Sequence, residues 1–308
     1  MTPDDLPAPH RYPYSADFAE GISKTMPLHL RMRACRHGYM MYFAHDQHIG
    51  ASLEWYGEWA EVEQDLFRCV VNPGMTVIEA GANIGTHTLT LARLAGPAGR
   101  VHAFEPQRRI FQMLCANLAL NDIGNVFAHP VGVGAANGMM SLPPIDYTKF
   151  GNFAGVELST EEGEPVEVRS IDSYGFDKVG FMKIDVESME VDVLRGSLET
   201  ITRCRPVIFF ENDRLDGVGE AMMMLFGQGY RCWWHLSTPF NPANYFGQEQ
   251  DIWKGVAASN NMICLPREIC TPALLEAISH LPEALEPSET WQHAATRTSR
   301  LLAIPSRE

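Results

Sequence analysis

The chain of 308 residues is short of positive charge, with 24 Lys and Arg against 38 Asp and Glu, a formal net charge of −14. A surface this acidic repels a phosphate backbone or an anionic bilayer unless a local basic stripe offsets it. The densest basic stretch, Arg31 to Arg36, holds only three arginines, so no nucleic-acid partner is expected. Also missing is any run near the roughly 20 apolar residues of a transmembrane helix, and no membrane span is expected. The opening Met1-Thr2-Pro3-Asp4-Asp5 lacks the basic-then-apolar order of a signal peptide. The seven cysteines include no Cys-x-x-Cys pair. That argues against a disulfide framework or a zinc knuckle, and for reduced thiols in a cytoplasmic protein.

What is present is an ordinary globular composition, 45% hydrophobic and 20% charged, with enough length for one large α/β unit and its trimmings. Residues 1–50 are proline-rich and read as an irregular N-terminal arm. Residues 51–266 read as one domain, and residues 267–308 as a helical C-terminal tail. Within the domain, apolar runs alternate with helical periods. Strands are expected at Met75–Ala80, Arg100–Glu105, Asn125–Val131, Val179–Asp185 and Pro206–Glu211, with terminal strands at Tyr230–Leu236 and Asn261–Leu265. Helices are expected at Trp59–Val71, Thr86–Leu94, Arg108–Asn121, Met189–Ile201 and Gly217–Phe226, and a hairpin near Val166–Ile171. This is an α/β, Rossmann-like pattern: a mostly parallel sheet with helices on both faces. In such sheets ligands bind beyond the carboxyl ends of the strands. That rule selects Glu79–Gly85, Glu105-Pro106, Val131–Gly134, Asp185–Ser188 and Glu211–Asp213.

The first of these segments is a glycine turn between strand and helix. Gly81 and Gly85 bracket it, and the helix that follows offers unpaired N–H groups. A dinucleotide fingerprint needs glycine where Asn83 stands, so that pattern is broken. Glu79 just before the turn repels a pyrophosphate but favours a cation. Glu105, closing the second strand, can accept two ribose hydroxyls. These features point to S-adenosylmethionine rather than a nicotinamide cofactor. His87 and Thr88 open the helix, either in reach of that cofactor's carboxylate or as plain helix residues. Val133 follows the third strand, where an adenine edge would lie.

With those residues in place, the sequence resembles the FkbM-type methyltransferases. The matching pieces are Tyr56-Gly57-Glu58-Trp59 with Glu61 and Glu63, then Val77 to Gly85, Ala103-Phe104-Glu105-Pro106, Gly151-Asn152-Phe153, Lys183-Ile184-Asp185-Val186-Glu187, Leu194-Arg195-Gly196 and Arg205-Pro206-Val207-Ile208. Two positions depart from the family pattern: Ser188 where it has Gly, and Glu79 where it prefers Asp. The resemblance implies a seven-stranded methyltransferase fold and O-methylation, often of sugars, polyketides or other secondary metabolites. It also adds Glu61 to the expected cofactor contacts, which are Glu61, Glu79, Gly81, Asn83, Gly85, His87, Thr88, Glu105, Pro106, Val133 and Asp185.

Methyl transfer to a hydroxyl needs an aligned acceptor and a proton acceptor. Asp185 or Glu187 is expected as base, with Lys183 paired to one of them, though a purely structural Lys183–Asp185 pair stays open. Asp185, Glu211 and Asn212 form an oxygen-rich set at neighbouring strand ends that could hold Mg²⁺, resembling catechol-type O-methyltransferases. Substrate hydrogen bonding, or helix capping by Asn212 and Asp213, stands against that. Phe240–Phe246 suits a lid or a sugar-contacting loop. The expected partner is a small-molecule acceptor or a glycosylated metabolite, and association as a homo-oligomer stays open. N- or C-methylation, or cofactor binding without catalysis, remain the alternatives.

Overall fold

The computed structural model describes residue 27 and residues 29–212, 215–254, 259–286, 289–290 and 292–296. The start of the expected arm, much of the expected tail and Asp213 lie outside the described residues.

Five strands form the parallel half of the main sheet: β3 (Thr76–Ala80), β4 (Arg100–Phe104), β5 (Val126–His129), β9 (Phe181–Ile184) and β10 (Val207–Glu211). Their spatial order is β10-β9-β3-β4-β5. Beyond β10 the sheet continues antiparallel through β12 (Ser259–Pro266), then β11 (Tyr230–Ser237) and the short edge strand β13 (Glu283–Ala284). The expected seven strands are therefore all present, and β13 adds an eighth.

Alternate side chains of each central strand feed opposite faces. Val77, Val101, Phe181, Phe209 and Ile263 join one buried cluster with Phe67, Leu89 and Leu114 from the helices Glu61–Val70, Thr86–Ala95 and Arg108–Leu120. Ile78, Phe104, Met182, Ile184 and Phe210 join the other, beneath the helices Glu190–Arg195 and Leu215–Gly227. Among the described residues, no helix is long and apolar enough to cross a membrane.

Three local readings change. The segment before residue 50 is not wholly irregular: β1 (Leu30–Cys35) and β2 (Gly38–Phe43) pair antiparallel, and Met40, Tyr42 and Phe43 enter the first core cluster. The expected helix Met189–Ile201 is two helices, Glu190–Arg195 and Leu198–Cys204. Gly196 sits at the break, where a Cβ would come within 2.1 Å of the Gly134 carbonyl oxygen, so backbone presses on backbone there. The expected hairpin is part of a separate three-stranded sheet, in which β8 (Glu164–Arg169) lies between β6 (Gly132–Val133) and β7 (Gly138–Leu142).

Candidate active site

The turn after β3 is built on left-handed backbone. Gly81, Asn83 and Gly85 have φ of 81°, 49° and 93°. A Cβ on Gly81 would lie 1.7 Å from the Asp185 carbonyl oxygen, so this turn and the end of β9 touch through backbone. Asn83 is tolerated because its short amide folds back locally, Oδ1 accepting the Ile84 N–H at 2.7 Å. Gly85 faces away from the site, packed so closely on the helix Arg108–Leu120 that a Cβ would meet Leu114 Cδ1 at 2.8 Å.

Glu105 reaches back from β4 to this turn. Its Oε2 accepts the Asn83 N–H at 3.0 Å and its Oε1 accepts the Gln107 N–H at 2.8 Å. Burial pushes its carboxyl up to about 7 against these two bonds. The consequence bears on the choice of cofactor. An amide that would serve a pyrophosphate is already taken by a carboxylate, whose charge repels a second anion. Each carboxylate oxygen still has a lone pair for a hydroxyl donor.

Behind the turn lies a buried charge cluster. Lys183 on β9 is 2% exposed and directly opposite Glu79 on β3. Its Nζ donates to Asp185 Oδ2 at 2.9 Å. Burial works to strip its charge, but the carboxylates of Asp185, Glu79 and Glu63 hold its pKa above the usual lysine value. Neither oxygen of Glu79 has a hydrogen-bond partner, and burial pushes its carboxyl up to about 7, eased by Lys183. His87 is buried and held neutral, chiefly by desolvation and then by Lys183. Its Nε2 also lacks a partner.

At the mouth, oxygens of Asp185, Glu187 and Glu211 lie within 4.8 Å of one another. Glu187 and Ser188 are both left-handed, at φ 49° and 73°. The family's glycine position thus keeps a glycine-like backbone although it carries serine. The Ser188 hydroxyl donates to Glu157 Oε1 at 2.7 Å, tying the turn to the segment between β7 and β8.

These parts line one cleft of about 260 Å³. Of the residues expected from sequence, it brings together Gly81, Asn83, His87, Glu105, Pro106, Val133, Lys183, Asp185, Glu187 and Glu211. Glu61 is elsewhere, ion-paired with Arg68 at 2.8 Å and His37 at 2.7 Å. Glu79 and Thr88 lie behind the lining, fully buried. Asn212 lies outside the lining, its Nδ2 donating to Met262 Sδ at 3.1 Å, while Glu187 joins Asp185 and Glu211 in a group of close oxygens. Sequence reasoning missed Trp59, Gln107, Trp253 and Asn261 as lining, and it chose Glu61 where Glu63 lines the cleft. None of residues 240–246 lines the cleft, and the segment is fastened down beside it. Glu58 accepts from Asn241 Nδ2 at 2.8 Å and from the Tyr245 N–H at 2.7 Å, and the Tyr56 hydroxyl donates to the Gln250 carbonyl at 2.9 Å.

Residues 79–232, half of the chain, match the methyltransferase FkbM domain family. The chain belongs to that family. Methyltransferase 1 of Beauveria bassiana is 27% identical over 143 residues, 39% of this chain and 57% of the relative. The 31-O-demethyl-FK506 methyltransferase FkbM of Streptomyces tacrolimicus is 30% identical over 194 residues, 52% and 74% of the two chains. The hexuronic acid methyltransferase AglP of Haloferax volcanii is 28% identical over 153 residues, 47% and 61%. A solved FkbM methyltransferase from Methylobacillus flagellatus superposes with a TM-score of 0.42 at 17% identity, over 65% of this chain and 50% of its own. The chain spans about half the length of the first curated relatives, 57% and 47%. The FkbM match holds the glycine turn, Glu105, Lys183, Asp185, Glu187 and Glu211. Trp59, Glu63, Trp253 and Asn261 lie outside residues 79–232, so part of the lining comes from segments beyond that span.

Proposed function

We propose that this FkbM-family chain is an S-adenosylmethionine-dependent O-methyltransferase acting on a hydroxyl of a small molecule. One observation carries the cofactor: Glu105 holds the Asn83 amide of the glycine turn, leaving a carboxylate where a pyrophosphate would need donors. When bound, S-adenosylmethionine supplies a methyl group on a positively charged sulfur. Glu105 would take the ribose hydroxyls, Gly81 allows close approach to backbone, and the acidic lining favours the cofactor's positive charge. Val133 and Pro106 would flank the base.

Asp185 and Glu187 line the cleft and are partly exposed, within reach of an entering acceptor. Either carboxylate would accept the proton of an acceptor hydroxyl as that oxygen receives the methyl group the cofactor supplies. Lys183 fixes Asp185 through the 2.9 Å bond and keeps it oriented. The relatives named for 31-O-demethyl-FK506 and for hexuronic acid support small-molecule acceptors. The three carboxylates at the mouth also have the hard oxygen character that suits Mg²⁺, and a metal requirement is the second reading. Turnover lost on EDTA and restored by Mg²⁺ would establish it; turnover unchanged by EDTA would dismiss it.

The test is release of S-adenosylhomocysteine over a panel of hydroxyl, amine and carbon acceptors, with the methylated atom located by mass spectrometry. Methylation at oxygen is the expected result. Methylation at nitrogen or carbon, or cofactor binding with no release from any acceptor, would overturn the O-methyltransferase reading.

A further inference from the structure

The lining residues expected to meet the cofactor follow the parallel strands. Three segments outside those strand ends complete the cleft. His48 precedes the helix Ile49–Tyr56, Asn152 lies between β7 and β8, and Trp253 lies between β11 and β12. Connecting segments of this kind carry recognition on a scaffold that carries the shared chemistry.

These segments are fastened down. The Gln47 N–H donates to the Gly151 carbonyl at 3.0 Å, and the Gly151 N–H donates to the His45 carbonyl at 3.1 Å. Asp46 Oδ1 accepts the His48 N–H at 3.1 Å and its Oδ2 accepts the Gly50 N–H at 2.9 Å, which fixes the start of the helix. On the other side, the Tyr56 hydroxyl accepts the Ile252 N–H at 2.7 Å, and Asp251 Oδ1 accepts the Trp253 N–H at 2.7 Å.

The result is a set of three rings. The His48 imidazole stacks on Trp253, with centroids 5.7 Å and planes 27° apart. Trp59 meets Trp253 edge to face at 6.4 Å. Trp253 is buried between them, whereas His48 and Trp59 are partly exposed and line the cleft. Among the described residues, no hydrogen bond occupies the ring nitrogens of His48. An indole gives a flat apolar face, and an imidazole gives a nitrogen that bonds a hydroxyl. The Asn152 amide and the Ser259 hydroxyl border them. That combination suits a ring edged with hydroxyls, and an open-chain alcohol has no face to lay on it.

We propose that Trp59 and His48 bind the methyl acceptor, that the acceptor is a hydroxylated ring, and that Trp253 is the positioning residue behind His48. The inference rests on the O-methyltransferase reading, and it places acceptor recognition on residues outside 79–232.

The test follows S-adenosylhomocysteine release with methyl pyranosides, phenols and open-chain polyols as probes. One ring class should turn over, which tells a sugar from a phenol, and the polyols should not. With that ring probe, His48→Ala and Trp59→Leu should each raise KM by about tenfold or more with kcat within about threefold, the pattern of lost acceptor binding. His48→Gln should recover part of the loss, because its amide still bonds a hydroxyl. Trp253→Leu should raise the same KM, and its combination with His48→Ala should be no worse than His48→Ala alone. Calorimetric affinity for S-adenosylhomocysteine should stay within about threefold throughout, which also reports that each variant is folded. Polyols used as well as rings, an unchanged KM in His48→Ala and Trp59→Leu, or cofactor affinity lost in step with KM would overturn the assignment. Additive losses in the double variant would overturn the role of Trp253. No turnover of any ring probe by a protein that binds S-adenosylhomocysteine would overturn the acceptor class, whereas failure to bind S-adenosylhomocysteine would bring down the reading beneath it.

Discussion

Lys183→Met tests the buried charge cluster directly. The substitution keeps the length and apolar stem of the side chain and removes one charge. It leaves Glu79 opposite with two unpartnered oxygens, Asp185 without its 2.9 Å partner, and Glu63 without the nearest compensating cation. Breaking a buried pair from one side costs about 3–5 kcal/mol, because the remaining charge is left uncompensated. At about 2–4 °C per kcal/mol for a chain of this size class, the melting temperature should fall by roughly 6–20 °C. The penalty should be largest at pH 8, where the carboxylates are ionised, and should shrink toward pH 5, where Glu79 and Glu63 are protonated. Lys183→Met combined with Glu79→Gln should recover about half the loss, since the worst-placed charge is removed with its partner. Urea unfolding of parent, both single variants and the double variant at both pH values measures this. A Lys183→Met variant within about 0.5 kcal/mol of the parent, or a double variant no more stable than Lys183→Met alone, would refute the reasoning.

Asp185→Asn should lower turnover by about a hundredfold or more while leaving S-adenosylhomocysteine affinity within a few-fold, read by steady-state kinetics and calorimetry. At position 188, Ser188→Gly loses the Glu157 bond but relieves left-handed strain, whereas Ser188→Ala loses the bond and keeps the strain; urea melts should place the glycine variant about 1 kcal/mol above the alanine one. Stability should also fall as pH rises. Glu63, Glu79 and Glu105 have folded values of about 7 against an ordinary 4.5. Such carboxylates cost nothing below the unfolded value, their cost grows between 4.5 and 7, and it is constant above. A tenfold change in proton affinity is worth about 1.4 kcal/mol, so Glu105→Gln should flatten the fall by about 3 kcal/mol in denaturant titrations between pH 5 and 8. An equal slope in parent and variant would contradict the burial argument.

Much of the fold was legible because the central strands are short apolar runs closed by polar strand ends. Met75–Ala80, Arg100–Glu105, Val179–Asp185 and Pro206–Glu211 all became strands within about three residues of their expected limits. The β1–β2 hairpin was readable in principle. Leu30, Met32 and Ala34 alternate with Arg31 and Arg33, but the prolines upstream suggested irregular chain. The helix break at Gly196 was not readable, since the backbone that packs there, that of Gly134, is far away in sequence.

The site divides in the same way. Gly81, Glu105, Lys183, Asp185 and Glu211 were accessible because topology places strand ends at a ligand. Two equally acidic residues on one helix, Glu61 and Glu63, gave no such rule, and only the fold decides which faces the cleft. Asn212 falls outside the cleft lining because a strand end fixes where a residue sits, not where its amide turns. Trp59 and Trp253 come from segments nearly 200 residues apart, joined by packing that no local pattern announces.

What occupies the glycine turn is the central question. Calorimetry of the parent protein with S-adenosylhomocysteine and with NAD, repeated on Glu105→Gln, reads this without knowledge of the acceptor. Binding of S-adenosylhomocysteine that weakens by about tenfold or more in the variant, with none of NAD to either protein, is the predicted result. NAD binding to the parent, or S-adenosylhomocysteine affinity indifferent to Glu105, would contradict it.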